Sequence, residues 1–304
     1  MACSGQPVGL VGVSGVMNLV TQTKAAQSDK TLIFLHLPKC GGTTLNRIIE
    51  WEYNPFRIFS IDPVLYLWSY HKLNRWPVSR LAKMQVLKGH MPFGIHRRLP
   101  QPFTYITFLR DPVERVVSAY YFAKNYLLHP KHRWISKLTL EEYARISPNH
   151  NVQTKYLSGR EFVGDYHAGD CTAEMLAMAK ENMTQYFSLV GLTERFDEGL
   201  AILKIIFGWE LAKYAKFNVT KVRPKKDSLP ASTVDLIRER NKYDVDLYEF
   251  GIPLFNETRA QYGDEVQKQL DLIAQARELS KLESTYYFGA SAARKAIGRV
   301  YSAL

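Results

Sequence analysis

The chain has 304 residues, 46% of them hydrophobic, which is enough to bury a substantial core, and it carries a net charge of +11. That charge favours polyanionic ligands: a nucleotide, an acidic glycan or nucleic acid. Its three cysteines, Cys3, Cys40 and Cys171, are too few and too widely spaced for a disulfide framework or a metal pattern, which describes a reduced, metal-free protein.

Residues 1–29 read as a flexible leader. The stretch 7–20 is mildly apolar, but glycines and serines interrupt it, no Lys or Arg precedes it, and it is too short to span a bilayer. Sequons at Asn182, Asn218 and Asn256 matter only in a secreted protein and read as chance. A cytoplasmic chain is therefore expected, with a fragment of a Golgi-lumen protein as the alternative.

Residues 31–35 form an almost wholly apolar run, the signature of a strand buried on both faces. Pro38 and the pair Gly41-Gly42 end it. Leu45, Ile48 and Ile49 then recur at helical spacing, with Glu50 and Glu52 expected to face water. A strand feeding a glycine turn that opens a helix gathers backbone N–H groups and the positive end of the helix dipole, which suits a phosphate. Lys39 adds a charge there, and Thr43 and Thr44 add hydroxyls; an ordinary strand–turn–helix corner is the alternative. A nucleotide-hydrolase P-loop places its Lys after the glycines, whereas Lys39 precedes them. The order PKCGGTT over 38–44 instead resembles the 5′-phosphosulfate loop of sulfotransferases that use 3′-phosphoadenosine 5′-phosphosulfate (PAPS). Cys40 stands where relatives often carry Thr; backbone groups do most of the anion binding in such a loop, and a buried thiol is expected.

Further along, 57–61 reads as a second strand and 63–70 as a short aromatic-rich helix or loop. The basic stretch 75–83 is expected at the surface. A third apolar run, 84–87, ends in GHMPFG over 89–94. Ligands gather at the carboxyl ends of strands in open α/β sheets, so His90 is placed to accept a hydroxyl proton; a loop histidine bonded to its own backbone is the alternative. His36 reads as packed or hydrogen-bonded within the core, and His96 as part of a basic loop.

A fourth strand, 103–109, leads directly into Arg110-Asp111-Pro112-Val113-Glu114. Asp111 suits an N-cap, Pro112 the first helical position, and Glu114 can return a hydrogen bond to the cap. Arg110 at the strand end and Ser118 on the next helix could hold a second phosphate bidentately; a salt bridge from Arg110 to Asp111 or Glu114 is the alternative. The stretch TFLRDPVERVVSAYY over 107–121 looks like the 3′-phosphate motif of sulfotransferases related to the heparan sulfate and uronyl 2-O-sulfotransferases. In that family an Arg and a Ser eight residues later hold the 3′-phosphate, matching Arg110 and Ser118. Its catalytic His lies between the two phosphate motifs, where His90 stands.

Helices are expected over 138–147, 149–157 and 171–186, a fifth strand over 187–192, and a helix over 193–207. Asn151 and Gln153 are a weaker match to the family's Asn/Gln-rich segment near the acceptor. The turn GLTERF over 191–196 is a further strand-to-helix junction and a possible wall for a nucleotide. NVTKVRPKK over 218–226 is either a solvated charge run or, as the resemblance implies, a loop closing over the 3′-phosphate with Arg223 as its contact. A helix over 232–250 is expected to stop at Gly251-Ile252-Pro253, and a helical tail follows that covers the core or mediates self-association.

The resemblance covers about 31–250. It implies a single α/β domain, a mainly parallel central sheet with helices on both faces and P-loop-like sulfotransferase architecture, spanning 30–262 with a helical extension over 263–304. It implies a PAPS-dependent O-sulfotransferase. His90 would take the acceptor proton; Lys39 and the amides of Gly41, Gly42, Thr43 and Thr44 would stabilise charge on the bridging oxygen. Arg110, Ser118 and Arg223 would select the 3′-phosphate, with no metal. The expected partners are the nucleotide donor and a hydroxylated acceptor, with no nucleic acid and no membrane span. The family's glycan members, the basic surface and Trp68, Trp76 and Trp134 lean toward a saccharide. Core or loop packing is the alternative for the tryptophans, and a small alcohol, a hydroxylated lipid or a tyrosine are the alternative acceptors. A P-loop-type nucleotide kinase or NTPase and a non-catalytic basic module binding polyanions are the alternatives.

Overall fold

In the computed structural model, which describes residues 30–62, 65–159, 170–210, 224 and 226–282, the apolar run Thr31–Leu35 is strand β1 and every residue of it is buried. Four more short runs follow as β2 (Ile58–Ile61), β3 (Val86–Gly89), β4 (Phe103–Leu109) and β5 (Phe187–Leu192). They make one sheet in the order β2-β3-β1-β4-β5, parallel at each pairing. Strands buried along their whole length need cover on both faces. The cover comes from α1 (Gly42–Glu52), α2 (Tyr66–Arg75), α3 (Pro112–Asn125), α4 (Leu140–Ile146), α5 (Val152–Ser158), α6 (Ala173–Tyr186), α7 (Phe196–Phe207), α8 (Ala231–Arg240) and α9 (Lys242–Leu282). From β1 the chain runs outward to β2 and back to β3, then restarts on the other side at β4. The order thus reverses at β1, and the crevice beyond the carboxyl ends of β3, β1 and β4 is where such a sheet takes ligands.

The main core joins Phe34, Leu45, Ile49, Val86, Ile106, Phe108, Leu200, Leu203 and Phe255. A second cluster lies beneath α3, where Val113, Val117 and Tyr120 meet Tyr143 and Ile237. Each such side chain contributes about 1.5–3 kcal/mol relative to exposure.

Three expectations are corrected. Glu50 does not face water: it is buried, and its carboxylate pairs with Lys88 at 2.8 Å. The basic stretch 75–83 is not all surface, because the single turn Val78–Leu81 buries Leu81. Finally, Gly251 and Pro253 do not end a helix. The break comes at Asn241, and α9 runs through both residues. Gly251 is there for close approach, since a Cβ would lie 2.4 Å from a methyl of Leu109. Proline inside a helix costs about 3 kcal/mol, which the burial of Leu247 and Phe255 on either side offsets.

Gly263, at φ 47° and ψ −127°, kinks α9; beyond it Val266 and Ile273 are buried in the main core, so this part of the tail covers the core. The leader over 1–29, Asn218, Arg223 and residues 283–304 lie outside the described residues. No helix among the described residues is long and apolar enough to cross a membrane.

Candidate active site

The carboxyl ends of β1 and β3 are locked side by side: Leu35 pairs with Gly89, and the His36 N–H donates to the Gly89 carbonyl at 3.0 Å. The next residues therefore meet. The rings of His36 and His90 stack with centroids 4.1 Å apart. His90 Nδ1 lies 2.6 Å from the His36 carbonyl oxygen. A carbonyl only accepts, so Nδ1 carries the proton and Nε2 keeps its lone pair. Burial lowers the His90 pKa below its ordinary value; the hydrogen bond to His36 and the charge of Asp62 pull it up, and Lys39 pulls it down. A neutral imidazole with a free Nε2 lone pair is the state a general base needs.

His36 belongs to this cluster and is not merely core packing. Burial and the nearby His90, Lys88 and Lys39 hold its pKa well below the usual range. Its Nδ1 meets Asn46 Nδ2 at 3.2 Å. His96, by contrast, is structural: its Nδ1 bonds the Tyr105 hydroxyl at 2.9 Å and its ring stacks on Phe103.

Between β1 and α1 the chain passes through Lys39 at φ 71° and Gly41 at φ 76°. The N-cap residue of α1 is Gly41, which has no side chain to cap the helix, and the positive end of a helix suits an anion. Gly42 is required by crowding, since a Cβ would lie 2.0 Å from the His36 ring. Thr44 is buried and Thr43 half-buried. The Lys39 ammonium sits 3.7 Å above the Phe122 ring, and its carbonyl accepts from Arg110 Nη1 at 2.9 Å. The junction after β5 stands against this loop: a Cβ on Gly41 would be 3.4 Å from Phe196 and 3.6 Å from Thr193. Burial pushes the Cys40 thiol up to about 12, so it stays protonated, 3.6 Å from Gln153 Oε1.

At the end of β4, Asp111 caps α3 as its sequence predicts, accepting from the Glu114 N–H at 3.0 Å. Glu114 does not return the bond. Its carboxylate takes Arg110 Nη2 at 3.2 Å and the Lys226 N–H at 3.0 Å, while the Asp111 N–H goes to Glu194 at 3.0 Å. Lys226 Nζ adds a bond to Asp111 at 2.7 Å. The far end of the basic loop that contains Arg223 is thus tied beside Arg110. Ser118 is buried one turn beyond Glu114 on α3.

Gln153 holds the Arg110 backbone from both sides, Nε2 on its carbonyl and Oε1 on its N–H, each at 2.9 Å. Asn151 and Asp244 cap each other's helices: Asn151 Oδ1 accepts from the N–H groups of Tyr243 and Asp244, and Asp244 accepts from those of Gln153 and Thr154. Both Asn151 and Gln153 are buried and serve as framework here.

The structure therefore brings His90, Lys39, Gly41, Gly42, Thr43, Thr44 and Arg110 to one crevice, with Ser118 on the flank. The sequence pointed to His36 only as packed or hydrogen-bonded within the core, to Gln153 only as a weak match near the acceptor and to Lys226 only as the last cation of the basic run. It carried no signal for Asn46, Lys88 or Phe122. Of the tryptophans singled out, Trp68 and Trp134 are exposed, whereas Trp76 packs on Phe59 at 4.7 Å.

A family model described as "Sulfotransferase family" matches residues 24–251. The chain is similar to heparan sulfate 2-O-sulfotransferase hst-2 of Caenorhabditis elegans, 26% identical over 295 residues, covering 86% of this chain and 87% of that protein. It is similar to heparin sulfate O-sulfotransferase of Drosophila melanogaster, 29% identical over 254 residues, with 74% and 71% covered. Galactose-3-O-sulfotransferase 3 of Homo sapiens is 28% identical over 182 residues, 54% of this chain and 41% of that protein.

Proposed function

The chain belongs to the sulfotransferase family, and on that premise we propose that it moves a sulfuryl group from PAPS to a saccharide hydroxyl. The observation that carries this reading is His90, its Nδ1 bonded to the His36 carbonyl, beside the loop of Lys39 and the start of α1. The residues fit the donor. The α1 N-terminus and Gly42, where a Cβ has no room, form a cradle of backbone for the 5′ end, held by Lys39, Gly41, Gly42, Thr43 and Thr44. Arg110, Ser118 and Arg223 take the 3′-phosphate, with Lys226 anchoring the loop that carries Arg223. When bound, PAPS supplies the sulfuryl group and a phosphate that leaves readily.

His90 Nε2 removes the acceptor's hydroxyl proton. Lys39 and the α1 amides offset negative charge in the crevice without rearranging. These roles are filled by side chains and amides, so the proposed site is metal-free. The catalytic unit is taken as 30–262, with 263–304 an extension.

A saccharide acceptor is supported by the relatives, whose names give heparan sulfate and galactose, by the net charge of +11 and by exposed Trp68 and Trp134. Such acceptors favour the Golgi-lumen alternative over the cytoplasm expected from the sequence. Of the sequons, Asn182 already spends its amide on the carbonyls of Leu157 and Ser158.

Two measurements test the reading. 3′,5′-Diphosphoadenosine should raise Tm, because it binds only the folded chain, and ATP with magnesium should not. Labelled PAPS should then pass its label to heparan sulfate or galactose-terminated oligosaccharides. Stabilisation by ATP-magnesium alone would indicate a kinase or NTPase; stabilisation by heparin alone, a polyanion-binding module.

A further inference from the structure

The ion pair between Lys88 and Glu50 takes no part in the roles above. Lys88 lies within β3, and both side chains are at least nine-tenths buried, with 5% and 10% exposure and 2.8 Å between Nζ and Oε1. Desolvating such a pair is costly, and apolar residues of similar volume often serve stability as well. Stability alone is therefore a poor account of it.

The pair continues toward the site. Lys88 Nζ also donates to Asn46 Oδ1 at 3.2 Å. An ammonium only donates, so the Asn46 atom facing it is the oxygen, and the amide NH2 faces His36 Nδ1 at 3.2 Å. His36 Nδ1 is thereby an acceptor, and its ring proton sits on Nε2. The His36 carbonyl in turn accepts from His90 Nδ1. Two stacked imidazoles thus carry opposite tautomers, and a chain of side chains on β3 and α1 dictates the first.

We propose that Lys88, Asn46 and His36 are positioning residues for His90: the hydrogen-bonded chain Glu50–Lys88–Asn46–His36 fixes the His36 ring in place and in the Nε2–H tautomer. That ring, stacked 4.1 Å from the His90 ring, holds His90 where the His36 backbone carbonyl takes its Nδ1 proton and its Nε2 lone pair turns toward the acceptor. This rests on the reading of His90 as the base. The groups facing the two rings agree with it. His36 bonds Asn46, stacks with the rings of Phe34 and His90, and lies in the field of Lys88 and the loop cation Lys39. His90 meets His36, Lys39, and Asp62 at the end of β2. Burial first, then His90, Lys88 and Lys39, oppose a second proton on His36, and the Asn46 amide N–H occupies its Nδ1, so a proton taken by His90 is not shared with its neighbour. No bond is made or broken by the chain itself.

The first test uses the full chain with nitrogen-15 histidine and reads ring tautomers by two-bond nitrogen–proton correlation, with His36→Gln and His90→Gln as assignment controls. At neutral pH, His36 should be protonated on Nε2 and His90 on Nδ1. The same tautomer in both rings, or a charged His36, overturns the proposal whatever the activity.

The second test compares the double variant Glu50→Leu/Lys88→Met with Asn46→Leu. Each should lose about 10- to 100-fold in kcat, while donor KM and 3′,5′-diphosphoadenosine affinity stay within about two-fold. Should the double variant fail to fold, Asn46→Leu and the tautomers decide. Folded variants with wild-type kcat, alongside an inactive His90→Ala, would overturn the positioning role and leave the base intact. Turnover retained in His90→Ala would instead break the underlying reading.

Discussion

The two halves of the crevice are built on opposite electrostatic principles. At the ends of β1 and β3, His36 and His90 are held neutral, with burial as the leading cause for both. At the end of β4, Arg110 is a permanent cation, packed between the Lys39 carbonyl and the Glu114 carboxylate. The first half can change its protonation, below the ordinary histidine range, and the second cannot. A site that takes up a proton and also grips a phosphate needs both kinds of group, kept apart so that neither spoils the other. Lys39 is the hinge between them: its charge acts on both histidines, while its carbonyl binds Arg110.

The largest effect should come from removing the proton acceptor. His90→Ala is expected to cost about 10²–10⁴ in turnover, with 3′,5′-diphosphoadenosine affinity unchanged by calorimetry. Turnover above about a tenth of wild type, well outside that range, would move the base elsewhere and collapse the contrast between the halves.

Lys39→Ala should cost about 10²–10³ in kcat, the range for one charge-stabilising donor, and less in affinity for the product nucleotide. A rise in KM with kcat untouched would place Lys39 wholly on the binding side.

Arg110→Ala should weaken 3′,5′-diphosphoadenosine by about 1.5–3 kcal/mol, as for a hydrogen bond to a charged group. Adenosine 5′-phosphate, lacking the 3′ group, should be affected much less. Equal losses for both nucleotides would make the pair with Glu114 purely structural.

The smallest and most diagnostic effect is on pH dependence. The base form of His90 exists above its lowered pKa, so turnover should be flat at neutral pH and fall only below the ordinary histidine value near 6.5. Stability should follow the same sign. Unfolded histidines take up protons before the folded ones do, so stability from His36 and His90 is full above about 6.5 and declines as pH falls. His36→Phe should flatten that decline in a thermal scan, whereas Arg110→Ala should leave its shape alone.

Much of this site was legible in the chain. The apolar run at 31–35 and the glycines after it define a strand and a turn whatever surrounds them. Asp111-Pro112 starts a helix by purely local chemistry. Those features, with the apolar run at 84–87, placed His90, Lys39 and Arg110 at strand ends before any pairing was known. Other residues were misread because their patterns had two meanings. Glu50 next to an apolar face resembles any solvated glutamate, and Gly251-Ile252-Pro253 resembles any helix stop.

Tertiary structure alone decided which. Glu50 is buried because β3 lies beside β1 in the sheet, which brings Lys88 under α1. Gly251 stays helical because α9 presses on Leu109. Gln153 becomes the clamp on Arg110 because Asp244, far along the chain, caps the helix that carries it. Periodicity and turn chemistry act over a few residues and so can be read from order alone. The partner of a buried polar group is set by strand order and helix packing, and burial makes that partner obligatory.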